Sequence, residues 1–170
     1  MTELEILEQE NHCGYLLHKF NEQMKWFTYC KENEEKSIID FTCVDKKGRL
    51  CLVELKERNA NIDQYKDILL DSTKMKYYAD IMTLSGYTHD NQRLYINFMN
   101  DGVIIFNLNN ISSLNFYPNK KIWNPIKQDY EHRDKYGLKI DDDAIVYKYD
   151  DKGKLQRVHN KNYMTKNKLT

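Results

Sequence analysis

Three charged residues, Asp40, Glu54 and Lys56, interrupt the otherwise apolar stretch SIIDFTCVDKKGRLCLVELKER, Ser37 to Arg58. Charged side chains are rarely buried without a partner or a metal. An Asp on one strand and Glu-x-Lys on the next form a set able to hold Mg²⁺ and a water beside a phosphodiester.

The spacing supports that chemistry. Asp45 to Arg49 carries turn residues, and Gly48 is free to take a positive φ. A loop of Lys46, Lys47 and Gly48 sets Asp45 opposite Arg49, Val44 opposite Leu50, Cys43 opposite Cys51 and Asp40 opposite Glu54. Opposed cross-strand residues lie roughly 4.5–5.5 Å apart at Cβ, so one cation can bridge two such carboxylates. Lys56 shares the face of Glu54, and Leu55 points to the other. Ile38, Thr42, Val44, Leu50 and Leu52 are expected on the charged face; Ile39, Phe41, Cys43, Cys51, Val53 and Leu55 on its opposite. Strands apolar on both faces belong inside a covered sheet. Two adjacent carboxylates there repel, and one is expected to stay protonated unless a cation is present. The triplet also fits a solvated hairpin edge or a Lys56 bridge to one acid; the apolar surroundings favour the catalytic reading.

The elements around this hairpin must position it. Glu3 to Phe20 has helical periodicity, with Ile6, Cys13, Leu16, Leu17 and Phe20 on one side. Lys25 to Cys30 reads as a first strand and Lys31 to Ser37 as a polar loop. Asn59-Ala60-Asn61 breaks the chain after the hairpin, and Asp63 to Leu70 is ambiguous between helix and edge strand. Ser72 is a fair N-cap for a helix to about Leu84, ending at Gly86. Its start carries Lys74 and Lys76; a Lys there can reach a phosphate or stand solvated. Leu94 to Met99 and Val103 to Leu108 flank Asn100-Asp101-Gly102, a strong hairpin signal.

Asp40 and Glu54-Leu55-Lys56, on a β-hairpin after an N-terminal helix, resemble the PD-(D/E)XK nuclease superfamily. That superfamily includes restriction enzymes, Holliday-junction resolvases and phage recombination nucleases. The resemblance covers roughly Glu3 to Leu108 and rests on a short motif. Ile39 stands where the named Pro would be. The resemblance implies an α/β fold with a restriction-endonuclease-like αβββαβ core, a central mixed sheet and a C-terminal extension. It implies Mg²⁺, replaceable by Mn²⁺, held by Asp40, Glu54 and the Leu55 carbonyl, with Glu10 of the first helix as a further metal ligand. Glu5 and Glu8 project elsewhere. Lys56 would orient or deprotonate the attacking water. A Gln or Lys of the second helix often sits near such a site, which leaves Gln64, Lys74 and Lys76 as nucleic-acid contacts. DNA is the implied partner and a homodimer the implied assembly.

Composition is compatible with a small enzyme. Hydrophobic residues make up 41% of 170, enough for one core. No long apolar run or signal peptide stands out, so a cytoplasmic protein of a bacterial or phage-infected cell, with no membrane span, is expected. Cys13, Cys30, Cys43 and Cys51 lack metal-ligand spacing and are expected reduced. No phosphate-binding Gly-rich loop, zinc motif or repeat is present. Net charge is zero, but its distribution is uneven: eight acids against three Lys up to Glu35, and six Lys or Arg without an acid from Lys152 onward.

The expected organisation is a nuclease core over 1–110, an irregular extension over 111–150 and a basic, flexible tail over 151–170. Tyr117 to Pro125 holds both Pro residues and Trp123, Tyr130 to Tyr136 is charged, and Ala144 to Tyr149 reads as a last strand or a partner-binding segment. The expected activity is metal-dependent, structure-specific endonucleolytic cleavage of DNA junctions or recombination intermediates. A catalytically silent module of nuclease fold, acting in counter-defence through protein or nucleic-acid contacts, is the alternative. A coincidental triplet in an unrelated α/β domain is the third class.

Overall fold

A computed structural model of the chain describes residues 3–34, 37–82, 91–111, 114–140 and 143–158. It is a mixed α/β structure with two helices and two sheets. Helix α1 (Glu3–Met24) precedes strands β1 (Phe27–Glu32), β2 (Phe41–Asp45) and β3 (Leu50–Glu57). Strand β4 (Asp67–Asp71) leads directly into helix α2 (Ser72–Met82). Then follow β5 (Gln92–Met99), β6 (Gly102–Asn107), β7 (Leu114–Asn124), β8 (Asp129–Lys139), β9 (Ile145–Tyr149) and β10 (Leu155–Val158).

The larger sheet has seven strands in the order β1-β2-β3-β5-β6-β9-β10. Its β3–β5 pair is parallel and its other pairs are antiparallel. A parallel pair needs a crossover; here β4 and α2 supply it. The β2–β3 hairpin has the expected register, with Val44 opposite Leu50, Cys43 opposite Cys51 and Phe41 opposite Val53. Gly48 closes the turn at φ 76°, and its amide donates to the Asp45 carbonyl at 3.0 Å. The Asp45 carboxylate accepts from the Lys47 and Arg49 amides, so the turn is fixed by its own side chain.

Two apolar clusters cover the two faces of this sheet, which is why β3 is apolar on both. One packs Leu17 and Phe20 of α1 against Cys43, Cys51, Val53, Leu55 and Ile96. The other packs Leu52, Tyr95 and Ile104 against Tyr78 of α2 and against Ile68, Leu70 and Leu138 of the smaller sheet. Asn21 accepts from the Phe27 amide at 2.7 Å and donates to its carbonyl at 3.0 Å, fixing the exit of α1 into β1.

Several expectations are corrected. Asp63 to Leu70, ambiguous in sequence, contributes strand β4. It joins the three-stranded sheet β4-β8-β7, away from the main sheet. Residues 111–150 are not irregular: they build the β7–β8 hairpin and β9. The stretch expected to open a flexible tail forms a turn and β10, antiparallel to β9; residues 159–170 and Gly86 lie outside the described residues. Ile39 was expected on the face of Val53, but it packs in the cluster of Leu52 because the chain bends over 38–40, before β2 begins. Gly102 is the first residue of β6, not a loop residue. A Cβ there would lie 2.0 Å from the Tyr147 carbonyl oxygen of β9, so strand packing demands the glycine. Among the described residues no helix is long and apolar enough to cross a membrane.

Candidate functional site

Strand β2 ends at Phe41 while β3 runs on to Glu57, so the second half of β3, still paired with β5, loses its neighbour on the β2 side. The Leu55 amide would then face open space on that side. Asp40 fills the gap: its Oδ2 accepts from the Leu55 amide at 2.7 Å. In an antiparallel ladder one residue's amide and carbonyl face the same neighbouring strand, so the Leu55 carbonyl is turned towards the same opening. The bend itself is held by Asn33, whose amide donates to the Asp40 carbonyl at 2.9 Å and whose side chain donates to the Ile39 carbonyl at 3.0 Å.

The opening is a cleft of about 260 Å³ lined by Cys13, Asp40, Glu54, Leu55, Lys56 and Lys74, among others. Glu54 is 9% exposed. Asp40 lines the same cleft, near enough for its negative charge to act on the Glu54 carboxyl. Glu54 pairs with Lys74 in the first turn of α2, N to O 2.8 Å. Lys74 Nζ also donates to the Ile38 carbonyl. Burial pushes the Glu54 carboxyl up to about 8; the Asp40 charge pushes the same way, and Lys74 opposes both without cancelling them. Protonation of Glu54 is one way for the two carboxyls to coexist in the cleft. A shared cation is the other.

Lys56 lies two residues beyond Glu54, is exposed and lines the cleft. Among the described residues it makes no ion pair or side-chain hydrogen bond. Cys13 on α1 borders the cleft, but burial raises its thiol to about 11, so it is no thiolate near neutral pH. Tyr78 lies fully buried beneath the acids, its hydroxyl donating to the Leu94 carbonyl at 3.4 Å. Around the Leu55 carbonyl the cleft therefore offers the carboxyls of Asp40 and Glu54 and the amines of Lys56 and Lys74, with Glu32, Glu34 and Glu57 also in its lining.

The structure brings Asp40, Glu54, Leu55, Lys56 and Lys74 together. Lys76 is an exposed α2 residue that does not line the cleft. Gln64 sits in the turn before β4, accepting from the Asn61 amide at 3.3 Å, and does not line it either. Glu10 belongs to α1, but its side chain lies outside the described residues, as do those of Glu5 and Glu8. Sequence reasoning did not single out Glu57 and His12. Glu57 also borders the cleft and pairs with His12 Nδ1 of α1 at 2.9 Å. An acid one residue past Lys56 was the available signal; that β3 outruns β2 was not visible. Arg58 was likewise missed: it donates to the Asn97 side chain at 2.8 Å and to the Leu69 carbonyl and Tyr95 hydroxyl at 2.7 Å. It ties the end of β3 to β4 and β5.

Among the described residues no group of three or more His, Cys, Asp and Glu converges as a ready metal cage. Two carboxylates lining one cleft beside a backbone carbonyl fit a different coordination class. Mg²⁺ keeps several waters and is commonly bound through one or two carboxylates together with substrate phosphate oxygens. The donor set is all oxygen, as a hard cation requires. No protein-family model, no curated protein and no solved structure matches the chain.

Proposed function

We propose that this chain is a metal-dependent DNA endonuclease of the PD-(D/E)XK type, with Asp40, Glu54 and Lys56 as its catalytic set. One observation carries the reading: two carboxyls share a cleft between the bend before β2 and the edge of β3 that β2 leaves open, flanked by Lys56 and Lys74. Asp40, Glu54 and the Leu55 carbonyl would hold Mg²⁺, which supplies Lewis acidity towards a phosphate oxygen. The Leu55 amide keeps the Asp40 carboxylate aimed. Lys56 orients the attacking water and offsets the charge that grows on the phosphorus oxygens. Lys74 holds Glu54 and, through the Ile38 carbonyl, the bend that carries Asp40. The substrate class is a DNA junction or recombination intermediate, with the protein acting as a homodimer; both follow from the family resemblance.

The test is cleavage of linear duplex, single-stranded and branched DNA with and without Mg²⁺ or Mn²⁺, beside the Asp40→Asn protein. Metal-dependent products from the native chain and none from the variant support the reading. Intact DNA in every lane with both metals overturns it.

The Lys74–Glu54 ion pair favours a second reading, a catalytically silent module of nuclease fold. A lysine already neutralises the acid that a metal would otherwise need to hold. Tight DNA or protein binding without cleavage by the native chain supports that reading.

A further inference from the structure

The β7–β8 hairpin runs past the core it is rooted in. At its base, Leu138 packs in the core with Ile68 and Leu70. Alternation along β8 puts Tyr136, His132 and Tyr130 on the same face as Leu138. The register then adds Phe116, Lys121 and Trp123 from β7. Beyond the base this face has no cover: Phe116 is 52%, Trp123 53% and Tyr130 55% exposed. Trp123 and Tyr130 meet edge to face at 5.2 Å between centroids, and Lys121 Nζ lies 4.3 Å from the Tyr130 ring. Residues 114–139 hold six Lys or Arg against three acids, in a chain whose net charge is zero.

We propose that this hairpin is a DNA-binding arm that stacks unpaired bases of single-stranded DNA on Trp123 and Tyr130 and contacts the backbone phosphates through Lys121. The inference rests on the proposed function only for the identity of the ligand as DNA. Aromatic faces accept any base, and cations beside them pair with the phosphate between bases. Over the hairpin as a whole the cations outnumber the acids, and Lys121 stands on the aromatic face itself while Asp134 of that face is turned to the Asn119 amide at 2.9 Å, which favours a polyanion over a second copy of the chain. The arm is also joined to the cleft. Lys135 of β8 pairs with Asp71 at 2.7 Å, and Arg133 lies 3.7 Å from the same carboxylate. Asp71 ends β4 at the first residue of α2, the helix that delivers Lys74 to Glu54. A strand held on the arm is thus held by the element that shapes the carboxyl pair.

Binding of fluorescein-labelled oligo-dT is read by anisotropy in EDTA, so that no cleavage is needed. The native chain is expected to bind, and its tryptophan emission to be quenched. Trp26 is half-buried with its indole N–H on the Tyr147 hydroxyl at 3.1 Å, so quenching should persist in Trp26→Phe and disappear in Trp123→Phe. Trp123→Ala and Tyr130→Ala should each weaken binding about tenfold, whereas Trp123→Phe, which keeps a ring, should stay within about threefold of native. Lys121→Gln should lower the salt slope by about 0.7, the single-strand value for one phosphate. Native affinity in Trp123→Ala, with native far-ultraviolet dichroism, overturns the proposal. So does a native dimer that Trp123→Ala turns into monomer at unchanged DNA affinity. Quenching without cleavage by the native chain would remove the nuclease reading and keep the arm; cleavage with Trp123→Ala binding normally would do the reverse.

Discussion

The Leu55 amide is hydrogen-bonded to the Asp40 carboxylate at 2.7 Å in the place where a continuing β2 would have offered a backbone carbonyl. A side chain thereby completes the ladder, and one carboxylate serves both the sheet and the cleft.

That double duty separates two substitutions. Asp40→Asn keeps an oxygen for the Leu55 amide and removes a negative charge from beside Glu54, so stability in EDTA should be unchanged or higher. Asp40→Ala strands the amide and should cost about 1–2 kcal/mol. Both should abolish cleavage. Thermal melts of the two variants check this; an Asn variant as unstable as the Ala one would show that the charge itself holds the fold.

Glu54 sets a pH dependence whose sign follows from its raised pKa. Its ordinary value is 4.5 and in the folded chain it is about 8. Between those values the unfolded chain has released the proton and the folded chain keeps it. Stability from this group is therefore complete below about pH 4.5, falls as pH rises towards 8, and is flat above. Urea midpoints from pH 5 to 9 should show the decline without divalent cations and a shallower one with Mg²⁺, which displaces the proton. Glu54→Gln should remove this part of the slope; an unchanged profile would refute the assignment.

Lys74→Gln removes the cation that offsets Glu54. Breaking a buried pair commonly costs about 3–5 kcal/mol because a bare charge remains. Here Glu54 can take up a proton instead, so the expected loss is smaller, about 1–2 kcal/mol at pH 9, and less at pH 6. Denaturant melts at the two pH values read it. Equal losses at both would mean that Lys74 acts mainly through the Ile38 carbonyl.

Two glycines should respond differently to alanine. Gly102→Ala places a methyl 2.0 Å from the Tyr147 carbonyl and 2.9 Å from Ile62 Cδ1. The strands must part, at about 3 kcal/mol or more. Gly48→Ala meets nothing within 4 Å and pays only for its positive φ, about 1 kcal/mol. Urea denaturation ranks the two, and a reversed order would contradict the β6–β9 packing.

The central hairpin was legible because turn chemistry and two-faced apolar patterning agree at Asp45 to Arg49, so the register needed no tertiary information. The register itself stops at Phe41–Val53, and Asp40 reaches the cleft of Glu54 from the bend before it. The β7–β8 hairpin was hidden because its outer part buries neither face fully: exposed and half-buried Lys, Asn, Trp and Tyr alternate, and Pro118 and Pro125 read as breaks. Leu155 to Val158 looked like a tail because a short edge strand of a sheet needs few apolar residues. Lys74 could be placed near the cleft only by resemblance, since its contact with Glu54 spans the β4–α2 crossover.

The β2–β3 turn has one more effect. Strand rise puts Lys46 and Lys47 roughly 15–20 Å from Asp40, outside any contact with the cleft. Yet the rungs from Val44–Leu50 to Phe41–Val53 transmit the turn's residue count to the far end of the hairpin. One inserted residue there would slip the count by one and swing one strand's side chains to the opposite face. The turn is a ruler for the cleft: its length, not its chemistry, decides whether the two acids share it, so a residue far from the cleft can undo it.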